Sequence, residues 1–164
     1  EKQDYEYKRE GTACILGFFE PLSGQRSFSI KDRRTMQDFA HEMKRLVDEL
    51  YPQADKIRVV LDNLNTHKKA SLYVTFAPET ASRLAKKLEF IYTPKHGSWL
   101  NAIEIEFSIL ERQCLNRRMG SRENLKREVR IWEQDRNQKE MKVDWQFTTK
   151  DARIKLKHLY PSFL

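Results

Sequence analysis

The first two predicted elements of the chain are short strands joined by a turn. Ala13 to Phe19 form an apolar run, and Gln25 to Ile30 alternate between polar and apolar side chains. Pro21 to Gly24 lie between the two stretches, where proline presets φ and glycine tolerates a positive φ. This pattern predicts a β-hairpin.

A helical period follows the hairpin. Thr35 and Asp38 have the spacing of a capping box, with aspartate in place of the usual glutamate. Behind them apolar residues recur every three or four positions as far as Leu50. Because proline cannot continue a helix, we expect this one to end before Pro52.

Strands and helices alternate in the rest of the chain. Ile57 to Leu61 are rich in β-branched residues and nearly all apolar, which is typical of a strand buried on both faces. After it we predict a helix over 79–88, a strand over 89–92, a helix that Ser98 caps and that runs past Trp99 to Cys114, a helix over 121–138 and a helical tail after 148. Because helices separate the strands, this order predicts an α/β sheet with a parallel part and an antiparallel edge.

Composition limits the class of protein. The chain has 164 residues, enough for one domain or one domain with a tail. No apolar run approaches the ~18 residues of a membrane span, and no signal-peptide pattern opens the chain. The two cysteines exclude a disulfide framework and favour a cytoplasmic setting. The net charge of +7 favours a polyanionic partner, although a well-solvated surface would also carry it.

Asp62 is the first candidate for chemistry, because it directly follows the strand that ends at Leu61. In open α/β sheets, ligands bind beyond the carboxyl ends of the strands. An acid at this position is held by a rigid strand and points toward a crevice. The alternative is that Asp62 starts a turn through its own side-chain hydrogen bonds.

Glu104 is the second candidate, on a predicted helix face that it shares with Phe107 and Ser108. A carboxylate near apolar side chains costs free energy unless it is paired or binds a cation. The alternative is an ordinary, half-exposed helical glutamate. Glu106 and Glu111 fall elsewhere around the helix, and we expect both to be solvated.

Two motifs carry a family resemblance. Val59 to His67 resemble the D-N-x-x-x-H strand end of bacterial insertion-sequence transposases of the DDE superfamily, which are related to the mariner elements. Thr93 to Glu104 are similar to the P-x-x-x-x-x-L-N-x-x-E segment of the same transposases. The likeness extends over essentially the whole chain, and the two motifs in this order are specific.

The resemblance implies a fold and a metal centre. It implies an RNase H-like catalytic core over 1–118, a mixed sheet with helices on both faces, and a helical C-terminal extension over 119–164 packed on the core. Such cores place three carboxylates around two Mg²⁺ or Mn²⁺ ions, with Asp62 as the second acid and Glu104 as the third. Mg²⁺ prefers oxygen ligands, and two ions together serve phosphoryl displacement.

The first acid of the resembled family has no counterpart here. That aspartate lies on a strand before the hairpin, whereas Asp4 follows no strand pattern and Asp32 comes after the second hairpin strand. We therefore expect a transposase core for DNA strand cleavage and transfer that is incomplete by itself. The alternative is a noncatalytic DNA-binding or assembly module derived from a truncated or decayed transposase.

The remaining expectations concern DNA and assembly. Five residues in or near the two motifs are candidates for DNA contact: His67, Lys68, Lys95, His96 and Arg112. The two histidines among them lack the partner spacing of zinc ligands. Contacts to phosphate release counterions, so this binding should weaken with salt. The resemblance further implies a homodimer on paired element ends, in the cytoplasm of a bacterium and associated with the nucleoid.

Overall fold

The computed structural model describes residues 11–94, 101–143 and 150–151. This part of the chain forms a mixed α/β structure of two small sheets and five α-helices. Its elements in chain order are β1 (Cys14–Glu20), β2 (Gln25–Lys31), α1 (Met36–Arg45), β3 (Ile57–Leu61), α2 (Ala70–Thr75), α3 (Pro78–Lys87), β4 (Leu88–Tyr92), α4 (Ala102–Leu110) and α5 (Arg122–Gln138). Short π-helical segments, Leu46–Leu50 and Glu111–Leu115, continue α1 and α4.

The predicted hairpin is confirmed. β1 and β2 pair antiparallel from Cys14 opposite Lys31 to Glu20 opposite Gln25. The Gly24 amide closes the turn by donating to the Glu20 carbonyl at 2.9 Å. Gly24 has φ of +73°, and a Cβ there would lie 2.7 Å from the Glu140 carbonyl oxygen. The turn therefore needs glycine both for its backbone conformation and for the space beside it.

The predicted capping box of α1 is also confirmed. The Thr35 hydroxyl accepts from the Asp38 amide, and the Asp38 carboxylate accepts from the Thr35 amide at 2.9 Å. The hydrogen bonds from Thr35 lower the pKa of Asp38. The helix and its π-helical continuation end at Leu50, before Pro52 as expected.

A first hydrophobic core lies between α1, α2, α3 and the pair β3–β4. Met43 of α1, Leu72 of α2 and Leu84 of α3 are almost completely buried in it. Burial of one such side chain contributes about 1.5–3 kcal/mol. This core fixes β3, the strand that Asp62 follows.

The sheet differs from the predicted single mixed sheet. β3 and β4 pair parallel, with Ile57 opposite Leu88 and Leu61 opposite Tyr92, but within the described residues they form a sheet separate from the hairpin. The prediction that β3 is buried on both faces is wrong. Its side chains alternate, and Val60 is 46% exposed, because no described helix covers that face.

A second core joins the hairpin to α4 and α5. Phe28 of β2 contacts Phe107 of α4 and Trp132 of α5, with ring centroids 5.5 and 5.6 Å apart in edge-to-face geometry. Leu110 and Val129 are buried beside these rings. The hairpin and α5 therefore hold α4 from two sides.

Several predicted boundaries change. Helix α4 begins at Ala102, and its N-cap is Asn101, which accepts from the Ile103 amide at 3.3 Å. The predicted cap Ser98 and the first predicted helical residue, Trp99, lie outside the described residues, as does the tail beyond Asp151. The short helix α2 was not predicted. Among the described residues, no helix has both the length and the apolar character needed to cross a membrane.

Candidate active site

A groove of about 700 Å³ separates β1 from β3. Consecutive residues of both strands line it, from Ile15 to Glu20 and from Ile57 to Leu61. Within the described part of the chain, β1 pairs only with β2 and β3 only with β4, so the facing edges of β1 and β3 are unpaired. The Tyr51 hydroxyl donates to the Glu20 carboxylate at 2.6 Å. This bond joins the end of β1 to the chain before β3, so the two strands run in opposite directions along the groove.

Asp62 lies at the other end of the groove, directly after β3. Its side chain is one-third exposed, and its Oδ1 is 2.6 Å from Nδ1 of His67. The Thr93 amide donates to the Leu61 carbonyl at 2.9 Å. The carboxyl ends of β3 and β4 therefore meet at this edge, where α/β sheets bind ligands.

His67 is held from several directions. Its Nδ1 also lies 3.3 Å from the Asp62 carbonyl oxygen, and its ring stacks on Phe39 with centroids 4.8 Å apart. The Tyr92 hydroxyl donates to the His67 carbonyl at 2.7 Å. The imidazole is thus directed at Asp62.

Asn101 connects α4 to β3 and was missed as a site residue by the sequence analysis. Its Nδ2 donates to the Val60 carbonyl at 3.5 Å, a long bond, while its Oδ1 caps α4. Asparagine is among the best N-cap residues, and that preference was the available signal. The contact brings the first turn of α4 to the end of β3.

Glu104 lies in this first turn and lines the same groove as Asp62. It is exposed, and its carboxylate pairs with no described residue. The structure thus brings the two acids to one cavity, and their role in metal binding stays a prediction.

The donor set of this cavity can be compared with the needs of a metal. In residues 11–94, 101–143 and 150–151, no three His, Cys, Asp or Glu side chains form a group that could hold an ion. Mg²⁺, however, keeps several waters and is often bound through one or two carboxylates. Asp62 and Glu104 fit that mode, and a tetrahedral zinc site would need more nitrogen or sulfur ligands.

The predicted DNA contacts divide into three groups. Lys68 and Arg112 are exposed and pair with no acid of the described chain. His67 is half-buried beside Asp62. Lys95 and His96 lie outside the described residues.

The expectation that Glu106 is solvated is wrong. Glu106 is fully buried, with its Oε2 2.7 Å from Nε of Arg26 and its Oε1 accepting from Nη2 of Arg136 at 3.1 Å. Both contacts are ion pairs that join the carboxylate to a buried guanidinium group. The hairpin and α5 pack on this face of α4 and supply the two arginines. Glu111 is exposed, as expected.

Comparison with known families completes the description of the site. The family model of DDE superfamily endonucleases matches residues 1–126, which include Asp62 and Glu104. No curated protein and no solved structure matches the chain. Because the family match covers well over half of the 164 residues, the chain belongs to the DDE superfamily of endonucleases.

Proposed function

We propose that this chain is the catalytic core of a transposase, related to bacterial insertion sequences and mariner elements, that cleaves DNA strands and transfers them. The main support is that Asp62 and Glu104, which are far apart in sequence, both line the groove between β1 and β3, with Asp62 directly after the carboxyl end of β3. The family match supports an endonuclease acting on DNA.

The two carboxylates are the proposed metal ligands. When bound, two Mg²⁺ or Mn²⁺ ions would activate the attacking oxygen and stabilise the leaving oxygen of a phosphodiester. Asp62 and Glu104 contribute hard oxygen ligands from a strand end and from a helix turn. Lys68 and Arg112, with Lys95 and His96, would bind phosphates of the DNA backbone.

The groove between β1 and β3 supports an RNase H-like sheet. We infer that a strand from outside the described residues lies in this groove, joins the two small sheets into one mixed sheet, and carries the first acid. A strand parallel to β3 would end beside Asp62, because parallel strands have their carboxyl ends at the same edge. The chain as given would then be an incomplete catalytic core.

Other features of the proposal rest on the resemblance alone. They are the division into a core over 1–118 and a helical extension over 119–164, the homodimer on paired element ends, and the association with the bacterial nucleoid. In the described part, α5 packs on β2, which is compatible with an extension resting on the core.

The second candidate function is a noncatalytic DNA-binding or assembly module from a truncated or decayed transposase. It is favoured by one observation, that no three metal-ligating side chains of the described residues form a group that could hold an ion. The other two acids that line the cavity, Glu20 and Glu42, already have hydrogen-bond or ion-pair partners. Such a module would bind DNA through exposed cations without cutting it.

Metal binding separates the two candidates. We expect the 164-residue chain to bind Mn²⁺ weakly in electron paramagnetic resonance titrations, and Asp62→Asn and Glu104→Gln each to weaken this binding at least tenfold. Glu111→Gln, an exposed acid just after α4, is the matched control and should leave the affinity unchanged. If the three variants and the parent chain bind Mn²⁺ alike, the metal site is wrong and the noncatalytic module remains.

Nicking of supercoiled plasmid tests whether the core is incomplete. The purified chain should nick DNA poorly or not at all in Mg²⁺, because only two of the three proposed catalytic acids are among the described residues. Efficient nicking that Asp62→Asn abolishes would show that the described acids suffice, and the inferred additional strand would then be unnecessary.

A further inference from the structure

We propose that His67 is a positioning residue that holds the Asp62 carboxylate in one orientation, and that it does not contact DNA phosphate. The inference rests on the proposed metal-binding role of Asp62. It replaces the expectation, drawn from the motif alone, that His67 binds DNA.

The surroundings of Nδ1 assign its hydrogen. Two oxygens of Asp62 face this nitrogen, Oδ1 at 2.6 Å and the carbonyl oxygen at 3.3 Å. Both oxygens are hydrogen-bond acceptors, so Nδ1 must carry the hydrogen. The N–H is hydrogen-bonded to the carbonyl oxygen and also makes the short contact with Oδ1, while Oδ2 has no partner among the described residues.

The ring is fixed by parts of the fold that do not belong to its own loop. Phe39 of α1, itself 7% exposed, stacks on the imidazole with an interplanar angle of 26°. Tyr92 at the end of β4 donates to the His67 carbonyl. Within the loop itself, the His67 amide donates to the Leu64 carbonyl at 3.0 Å. The His67 side chain is only 18% exposed. A histidine held in this way is directed at the carboxylate and away from solvent, where a phosphate would approach.

The consequence for metal binding is preorganisation. A carboxylate whose Oδ1 already lies 2.6 Å from the fixed imidazole has lost rotational freedom, so less entropy remains to be lost when an ion binds. Loss of a supporting contact of this kind typically lowers metal affinity 10–100-fold.

Two substitutions at His67 separate positioning from simple packing. His67→Asn keeps an N–H at the δ position, within reach of Asp62, whereas His67→Gln moves the N–H one bond further along the side chain. Both variants lose the stacking on Phe39, so both should lose similar thermal stability. We expect His67→Gln to weaken Mn²⁺ binding 10–100-fold and His67→Asn to stay within about threefold of the parent chain. Equal Mn²⁺ affinities of the two variants would overturn the proposal and leave His67 a packing residue.

Two measurements without metal complete the test. The imidazole ¹⁵N shifts at pH 8 should show hydrogen on Nδ1 in the parent chain; hydrogen on Nε2 would overturn the proposal. In EDTA, DNA affinity should be the same within twofold in the parent chain and both His67 variants. A clear loss of DNA affinity in both would restore the phosphate contact.

A failure of the proposed metal site can be told apart from a failure of the proposed role of His67. A parent chain that binds no Mn²⁺ would overturn the metal site and, with it, the role of His67 toward an ion. A parent chain that binds Mn²⁺, together with indistinguishable His67 variants, would overturn only the role of His67.

Discussion

Helix α4 carries two glutamates, two positions apart, in opposite surroundings. Glu104 is exposed at the groove, and its carboxylate pairs with no residue of the described chain. Glu106 is fully buried between Arg26 of the hairpin and Arg136 of α5. Successive residues of a helix are rotated by about 100°, so two positions suffice to move a side chain from one face to another.

The difference teaches which acid is available for chemistry. The charge of Glu106 is already compensated by two guanidinium groups, and its removal would leave both of them buried without their ion-pair partner. Burial lowers the pKa of Arg26, and Glu106 opposes this effect. Glu104 has no such partner, so it can bind a cation without breaking an existing contact. Acidic character alone does not mark a site, because the partners of each carboxylate decide its role.

The largest expected effect concerns Glu106, the buried glutamate of this pair. Glu106→Gln keeps the shape of the side chain and removes its charge, so Arg26 and Arg136 lose their common partner. We expect the free energy of unfolding to fall by about 3–5 kcal/mol in urea titrations at neutral pH. Glu104→Gln is the matched control on the same helix and should change the free energy of unfolding by less than about 0.5 kcal/mol. Similar losses in the two variants would mean that the two glutamates do not differ as described.

A smaller effect tests the uncharged hydrogen bonds beside the buried ion pairs of Glu106. Asn137 of α5 accepts from the Arg26 amide at 2.8 Å and donates to the Arg26 carbonyl at 2.8 Å. Asn137→Ala removes both bonds and should cost about 1–3 kcal/mol of unfolding free energy, because the Arg26 backbone groups are left unpaired. Gln138→Ala, at the exposed next position, is the control, with a change below about 0.5 kcal/mol. A negligible effect of Asn137→Ala would mean that the ion pairs of Glu106, and not the Asn137 hydrogen bonds, hold the hairpin against α5.

The smallest effect concerns Asp48, an ion-paired acid that is less buried than Glu106 and less exposed than Glu104. Hydrogen bonds from Arg83, and then from Lys44, lower the pKa of Asp48 to about 2. Since the folded pKa lies below the unfolded one, the stabilisation is present above about pH 4 and is lost as the pH falls from about 4 to about 2. We expect Asp48→Asn to cost about 1 kcal/mol at pH 6, a value limited by solvent screening of this partly exposed pair.

The pH dependence provides the check on Asp48. In urea titrations, the difference between the parent chain and Asp48→Asn should shrink toward zero between pH 4 and pH 2. Asp55→Asn, at an exposed acid with no ion-pair partner in the described chain, should show no such trend. A constant difference for Asp48→Asn would contradict an ion-pair origin.

Local elements of the fold could be predicted from the sequence, because their signals lie within a few residues. The turn residues before Gly24, the Thr35–Asp38 capping box and the apolar period of α1 are of this kind, and all three are confirmed. The sheet order could not be predicted in the same way, because pairing joins residues that are distant in sequence. Within the described chain, β3 has one partner strand and one open face, which its apolar composition did not reveal.

The candidate site was only partly accessible to sequence reasoning. The position of Asp62 follows from its place after a strand, but its place in the same cavity as Glu104 was implied by the family resemblance and not by any pattern. The burial of Glu106 was missed because its partners, Arg26 and Arg136, lie far away along the chain. The contact between His67 and Asp62 is local, yet it also depends on Phe39 and Tyr92, which only the fold brings near.

The open groove between β1 and β3 also bears on how this polypeptide behaves in concentrated solution. Unpaired strand edges present rows of backbone donors and acceptors that can template the addition of strands from other molecules. A net charge of +7 opposes such association only at long range and is screened by salt. Solubility of the isolated polypeptide therefore depends more on how these two edges are covered than on its surface charge.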